Sequence, residues 1–212
     1  MLTDATEIAI VANAKQKNIR DPKRNRQPFF HILEDFFGGK PLTGQYIDLG
    51  AGQFDFAEIV RERGGTCVGV DFDPAVAELG RYKGFEVAEL NIQTLASHPF
   101  DTVFDGVFNK FSLNAFWYWD DDEAHSAFVD AIVNLIYPDG WAWLGPWNGV
   151  PKKAKLDQAA IGRTLAFQRE LFEAHGFTTV QLTPDLTKRY GIHGSVANSL
   201  VFCKNLTWTP TK

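Results

Sequence analysis

The sequence predicts a single α/β domain, a mostly parallel sheet covered by helices, and three observations carry that expectation. A short apolar run, Tyr46-Ile47-Asp48-Leu49, breaks into a Gly50-Ala51-Gly52 turn. A second run, Val68-Gly69-Val70, ends in Asp71 about one β-α unit later. From residue 45 onward, short apolar stretches alternate with segments of helical periodicity. Alternation of this kind builds parallel strands joined by helices on both faces of the sheet.

The elements follow in order. Residues 3–19 suit a helix with Ile8, Val11 and Ile19 on one side, and a basic stretch overlaps and follows it, holding Lys15, Lys17, Arg20, Lys23, Arg24 and Arg26. Pro28 opens a helix over 29–37 that stops at Gly38-Gly39. Residues 45–49 read as a strand, 53–63 as a helix and 66–70 as a strand. Asp73-Pro74 start a helix to about residue 82, and strands are expected over 85–90 and 105–109. Asp120 is expected to cap the next helix, with Glu123 at capping-box offset and Phe128, Ile132, Leu135 and Ile136 as its buried stripe. Pro138-Asp139-Gly140 lead into a strand over 141–144, and a long helix over 156–175 stops at Gly176. Two last strands, 177–182 and 196–203, are joined by a polar loop without a helix, which predicts an antiparallel hairpin at the sheet edge. Residues 1–40 then form an N-terminal helical cap and 41–212 the core, one domain in all.

Composition bounds the function. The 212 residues suit one core, and 45% hydrophobic against 22% charged residues is an ordinary globular balance. A net charge of −5 repels nucleic acid, so a nucleic-acid partner is not expected. The two cysteines, Cys67 and Cys203, each lie in an apolar run with no second cysteine or histidine nearby, so neither a zinc site nor a disulfide scaffold is expected. The N-terminus lacks the pattern of a signal peptide and no apolar run is long enough to span a bilayer, so the expectation is a cytoplasmic protein without a membrane partner.

The two strand tips propose a nucleoside-containing ligand. Glycines after a strand let the backbone pass close to a ligand, and a carboxylate on the neighbouring tip can accept hydrogen bonds from two ribose hydroxyls. At this point the chain resembles the class I S-adenosylmethionine-dependent methyltransferases over roughly residues 40–205. The resemblance implies a Rossmann-like seven-stranded sheet, S-adenosylmethionine as cofactor, and methyl transfer to oxygen or nitrogen of a small molecule. It also implies roles for single residues. Asp48, Gly50, Ala51 and Gly52 form the turn around the cofactor, and Asp71 with the adjoining Phe72 takes the ribose side. Asn91 and Ile92 take the adenine, and Asn109 stands beside the transferring methyl group. Where the family has a third glycine this chain has Phe54, whose ring must turn away or form a pocket wall.

Two alternatives stay open on the sequence. One is an NAD(P)-dependent reductase, although its fingerprint needs glycine where Asp55 stands. The other is a non-catalytic S-adenosylmethionine-binding protein of the same fold. Methyl transfer from a sulfonium needs an aligned nucleophile more than a fixed catalytic group. The loops at the carboxyl ends of the strands supply the substrate-side candidates Lys110, Trp117, Trp147, Asn148 and Tyr190, with His193 as the candidate general base. Of the other histidines, His125 is expected on the surface and His175 at a helix C-terminus. The basic run from Lys15 to Arg26 can hold a phosphate or carboxylate, which suggests an anionic substrate. The acids from Asp120 to Glu123 are read as helix-capping residues and not as a metal site.

Overall fold

The computed structural model describes residues 4–21, 25–146, 156–192 and 199–210. Seven strands form one sheet: β1 (Gln45–Leu49), β2 (Thr66–Asp71), β3 (Glu86–Glu89), β4 (Phe104–Lys110), β5 (Ile136–Gly145), β6 (Thr178–Gln181) and β7 (Leu200–Lys204). Their order across the sheet is β3-β2-β1-β4-β5-β7-β6. β1 pairs in parallel with β2 and β4, β2 with β3, and β4 with β5. β7 runs antiparallel between β5 and β6, which is the C-terminal antiparallel pair the sequence predicts.

Strand alternation divides the core in two. Tyr46, Cys67, Phe108, Trp141, Trp143, Val201 and Cys203 face one side. There they meet α1 (Ala5–Val11), α2 (Gln27–Phe37), α3 (Asp55–Glu62), α4 (Pro74–Tyr82) and α7 (Pro184–Arg189). Ile47, Leu49, Val70, Val107, Ala142, Leu144 and Phe202 face the other, against α5 (Asp122–Val133) and α6 (Gln158–Ala174). Both cysteines are buried and free, and burial pushes both thiols up.

Several elements depart from expectation. The N-terminal helix ends at Val11, and residues 12–21 continue as an irregular strap held by buried Ala14 and Ile19. The side chain of Asp121, not Asp120, caps α5 by accepting from the Ala124 N–H. α5 ends at Val133, and Ile136 already belongs to β5. A register shift between Phe104 and Gly106 lets Tyr137, Pro138 and Asp139 stand out into solvent without breaking the strand. His125 is buried, because it shares a helical stripe with Phe128, Val129 and Ile132 and its ring meets Phe167 of α6, 5.5 Å between centroids. The connection between the last two strands contains α7, capped by Thr183 and opened by Pro184.

One buried ionic centre ties distant parts of the chain to α2. Asp35 is fully buried and accepts from Arg189 at 2.9 and 3.0 Å and from the Tyr190 hydroxyl at 2.6 Å. Trp208 donates to that hydroxyl at 3.4 Å, and the Thr209 N–H donates to the Asp35 carbonyl at 2.8 Å.

Candidate functional site

The carboxyl ends of β1, β2 and β4 open onto a cavity of about 670 Å³. Its inner wall is built from the first two strand tips. After Leu49 the backbone turns through Gly50 and Gly52, at φ 85° and 53°, where side chains beyond glycine are strained. The N–H groups of Gly50 and Ala51 donate to the Val70 carbonyl at 2.8 and 3.0 Å, locking the turn to β2. The Ser112 side chain stands where a Cβ on Gly50 would be.

Asp71 braces this turn. It is 6% exposed; Oδ2 accepts from the Gly52 N–H at 3.3 Å and Oδ1 from the Asp73 N–H at 3.0 Å. Each carboxylate oxygen keeps a further acceptor position. Burial raises its pKa above the usual carboxylate value, against the lowering effect of the two N–H donors. The Leu90 N–H donates to the Asp71 carbonyl at 3.0 Å, so the tip of β3 sits beside it. Asn91, next in the chain, is exposed; its Oδ1 accepts from the Gln93 N–H at 3.1 Å and opens a short 3-10 helix over Ile92–Ser97. Ile92 is buried in the core beneath.

Phe54 answers the question raised by the missing glycine. It adopts a left-handed conformation, φ 64°, and its fully buried ring points away from the cavity, stacked on Phe85 at 5.4 Å. The space it occupies exists because Gly69 of β2 and Gly80 of α4 lack Cβ atoms.

The strap roofs the turn. The side-chain amide of Gln53, 2% exposed, donates to the carbonyls of Ile19 at 2.6 Å and Asp21 at 3.1 Å. The Lys15 N–H donates to Asp73 Oδ2 at 2.6 Å, and its ammonium lies 5.3 Å from the centroid of Phe72, which is 44% exposed. Gln16, Asn18 and Ile19 thereby line the cavity. The outer wall is Pro28 and Phe29 of α2, Lys110 at the end of β4, and Lys188 with Gly191 at the end of α7. Phe111, following Lys110, is itself held at φ 76°.

The structure brings Gly50, Gly52, Asp71 and Lys110 together around this cavity. Other expected site residues stand behind it. Asp48 is buried beside Cys67, where its charge adds to the effect of burial in raising the thiol. Ala51 packs into the core on that side. Asn109 is fully buried and its amide donates to the Leu49 carbonyl, holding the entry to the glycine turn; its Oδ1 is buried without a partner. Two substrate-side expectations are corrected in placement. Trp117 lies in a 3-10 turn, edge-on to Phe128 at 5.6 Å, and Tyr190 is fully buried on Asp35, so neither lines the cavity. Trp147, Asn148 and His193 lie outside the described residues. Two residues of the basic run are engaged elsewhere: Arg26 forms a two-pronged pair with Glu62 at 3.0 Å, and Arg20 donates to the Ala14 carbonyl. Lys23 and Arg24 lie outside the described residues. Gln53, the strap, Ser112 and Lys188 were not marked by any local pattern in the sequence. No metal-binding cluster occurs among the described residues.

Residues 47–144 match the model of a methyltransferase domain family. Among solved structures, the fold is similar to a TehB-like SAM-dependent methyltransferase from Corynebacterium glutamicum, with a TM-score of 0.55 and 13% identity over 98% of this chain and 100% of that one. It is also similar to DesVI of Streptomyces venezuelae, TM-score 0.53 and 14% identity over 87% of this chain and 91% of that one. A DhpI complex with SAM and HEP aligns at TM-score 0.52 and 14% identity, over 83% of this chain and 85% of that one. At these identities the likeness is one of fold. The seven-stranded sheet, with its order β3-β2-β1-β4-β5-β7-β6, is thus similar in fold to these S-adenosylmethionine-dependent methyltransferases.

Proposed function

We propose that this methyltransferase transfers the methyl group of S-adenosylmethionine to an oxygen or nitrogen of a small, negatively charged molecule. One observation carries the reading. The glycine turn and Asp71 form one wall of a cavity of about 670 Å³ whose other walls are the strap, α2 and α7. That volume falls in the range of small-molecule sites, about 300–1,000 Å³. A strap across the opening suits a cofactor with a compact acceptor better than a polymer, and the net charge of −5 argues the same way for nucleic acid.

In this reading Asp71 accepts from the ribose hydroxyls, and Gly50 and Gly52 let the backbone approach the cofactor. Asn91 and Ile92 border the adenine, while Asp48, Ala51 and Asn109 support the turn from behind. Phe72 flanks the ribose side under Lys15. The acceptor atom attacks the methyl carbon in line, the carbon–sulfur bond breaks, and S-adenosylhomocysteine leaves as a neutral thioether. The acceptor's proton passes to a base, for which His193 is the candidate; Lys110, Trp147 and Asn148 remain the substrate-side candidates. A cytoplasmic setting fits the two buried, free thiols, and no helix among the described residues is long and apolar enough to cross a membrane.

Calorimetric titration with S-adenosylmethionine and S-adenosylhomocysteine tests the reading, together with transfer of a labelled methyl group to a panel of small hydroxy and amino acids. Binding of both cofactors with turnover on the panel is the expected result. Binding without turnover on any acceptor would favour a non-catalytic cofactor-binding protein.

A further inference from the structure

We infer that the half of the cavity away from the glycine turn is a subsite for a planar organic anion, its negative group held between the ammonium groups of Lys110 and Lys188. The inference rests on the methyl-transfer reading only for its orientation: the cofactor occupies the side of Asp71 and the anion the side of α2 and α7.

Chain geometry brings the two lysines to one wall. Lys110 ends β4, and its Nζ lies 5.1 Å from the centroid of Phe29 and 4.6 Å from that of Phe111. Aromatic faces attract an ammonium, so both rings hold the Lys110 head at this wall. Lys188 comes from α7, whose end is drawn against α2 by Gly191. At φ 61° this residue sits so close that a Cβ would fall 2.8 Å from Pro28 Cγ and 4.0 Å from Lys110 Nζ. The cavity continues outward into a recess of about 440 Å³ that shares Asn25, Pro28 and Lys188 with it.

The charge distribution sets the sign of the ligand. Two carboxylates, Asp71 and Asp21, line the cavity against these cations. Asp71 lies on the glycine-turn wall, its oxygens accepting from Gly52 and Asp73, and Asp21 belongs to the strap. The wall that Lys110 and Lys188 share therefore sets two cations beside the rings of Phe29 and Phe111, with Asp185 of α7 bordering only the outer recess. A carboxylate or phosphate on a flat, partly apolar body meets both features, whereas an ammonium substrate meets repulsion. The residues that supply this charge are not those of the Lys15–Arg26 run, whose Arg26 is spent on Glu62 and Glu58.

Benzoate, phenyl phosphate and the neutral benzamide, titrated into the full chain saturated with S-adenosylhomocysteine, test this. The anions are expected to bind at least tenfold tighter than benzamide. Whichever of benzoate and phenyl phosphate binds tighter identifies carboxylate or phosphate as the preferred group. Lys110→Met and Lys188→Met are expected each to weaken the tighter anion tenfold or more, with Lys188→Arg restoring most of it, while S-adenosylhomocysteine affinity stays within twofold. Thermal unfolding confirms that each variant is folded. Benzamide binding as tightly as the anions, or no binding by any of the three, overturns the proposal. So does loss of S-adenosylhomocysteine affinity in the lysine variants with anion affinity intact, because the lysines would then hold the cofactor's own carboxylate. Failure of the wild-type protein to bind S-adenosylhomocysteine counts against the methyl-transfer reading instead, and the same titration without cofactor still reads the anion subsite.

Discussion

The ring of Phe54 lies in the space that a Cβ on Gly80 would fill. A large side chain in the glycine turn is thus paired with a missing one on α4, and again with Gly69 on β2. The turn keeps its shape around the cavity because its bulk is packed backward into the core.

This pairing predicts coupled stability. Gly80→Ala overpacks the site and is expected to cost about 1–3 kcal/mol. Phe54→Ala leaves a cavity and is expected to cost about 3–5 kcal/mol. In the double variant the alanine at 80 no longer meets a ring, so the combined loss should fall at least about 1 kcal/mol short of the sum. Urea unfolding of the four proteins measures the coupling, and simple additivity would refute the contact.

Asp71→Ala should weaken S-adenosylmethionine binding at least tenfold, about 1.4 kcal/mol, through loss of charge-assisted hydrogen bonds. Asp71→Asn retains the size but not the charge and should fall between. Because burial raises the Asp71 pKa, binding should also weaken on acidification sooner than an ordinary carboxylate would dictate. Calorimetry across pH checks all three.

Gln53→Ala should free the strap while leaving the sheet intact. The amide makes two hydrogen bonds to strap carbonyls, worth together about 1–3 kcal/mol. Amide hydrogen exchange at Lys15 and Ile19 should accelerate at least tenfold in the variant, with exchange in β1 and β4 unchanged. Unchanged protection at those two positions would show that Ala14, Ile19 and the Lys15–Asp73 hydrogen bond hold the strap without Gln53.

His125 predicts a pH dependence. Burial lowers its pKa below the ordinary 6.5, so the unfolded chain binds a proton that the folded one resists. Stability should therefore fall as pH drops below about 6.5 and continue to fall until the folded imidazole also protonates, with a slope of at most about 1.4 kcal/mol per pH unit from this group. His125→Gln should flatten that part of the profile; an identical profile would place the dependence on other groups.

Much of the fold is legible in the chain because its signals are local. Leu49-Gly50-Ala51-Gly52 and Val70-Asp71 announce two strand tips within a few residues each, and Pro28, Pro74 and Gly176 mark helix ends. The strap was not legible. Its anchors, Gln53 to Ile19 and Asp73 to Lys15, span 34 and 58 positions, and the spacing of Ile8, Val11 and Ile19 mimics a helix that ends at Val11. His125 stands three residues before Phe128 and seven before Ile132, on the apolar stripe itself, but a titratable ring in a first turn beside Asp122 and Glu123 reads as a solvent-facing residue. Tyr190 read as a loop residue near the site because its partner Asp35 lies 155 positions away.

The centre on Asp35 bears on how the molecule assembles during synthesis. The glycine turn, Asp71 and the strap all lie at or before residue 71, whereas Arg189, Tyr190 and Trp208 come much later in the chain. The glycine turn is complete once Asn109 and Ser112 pack on it, but the wall bearing Lys188 is fastened to α2 only after residues 189–209 have been made. If the acceptor binds at that wall, its site is completed later in synthesis than the glycine turn.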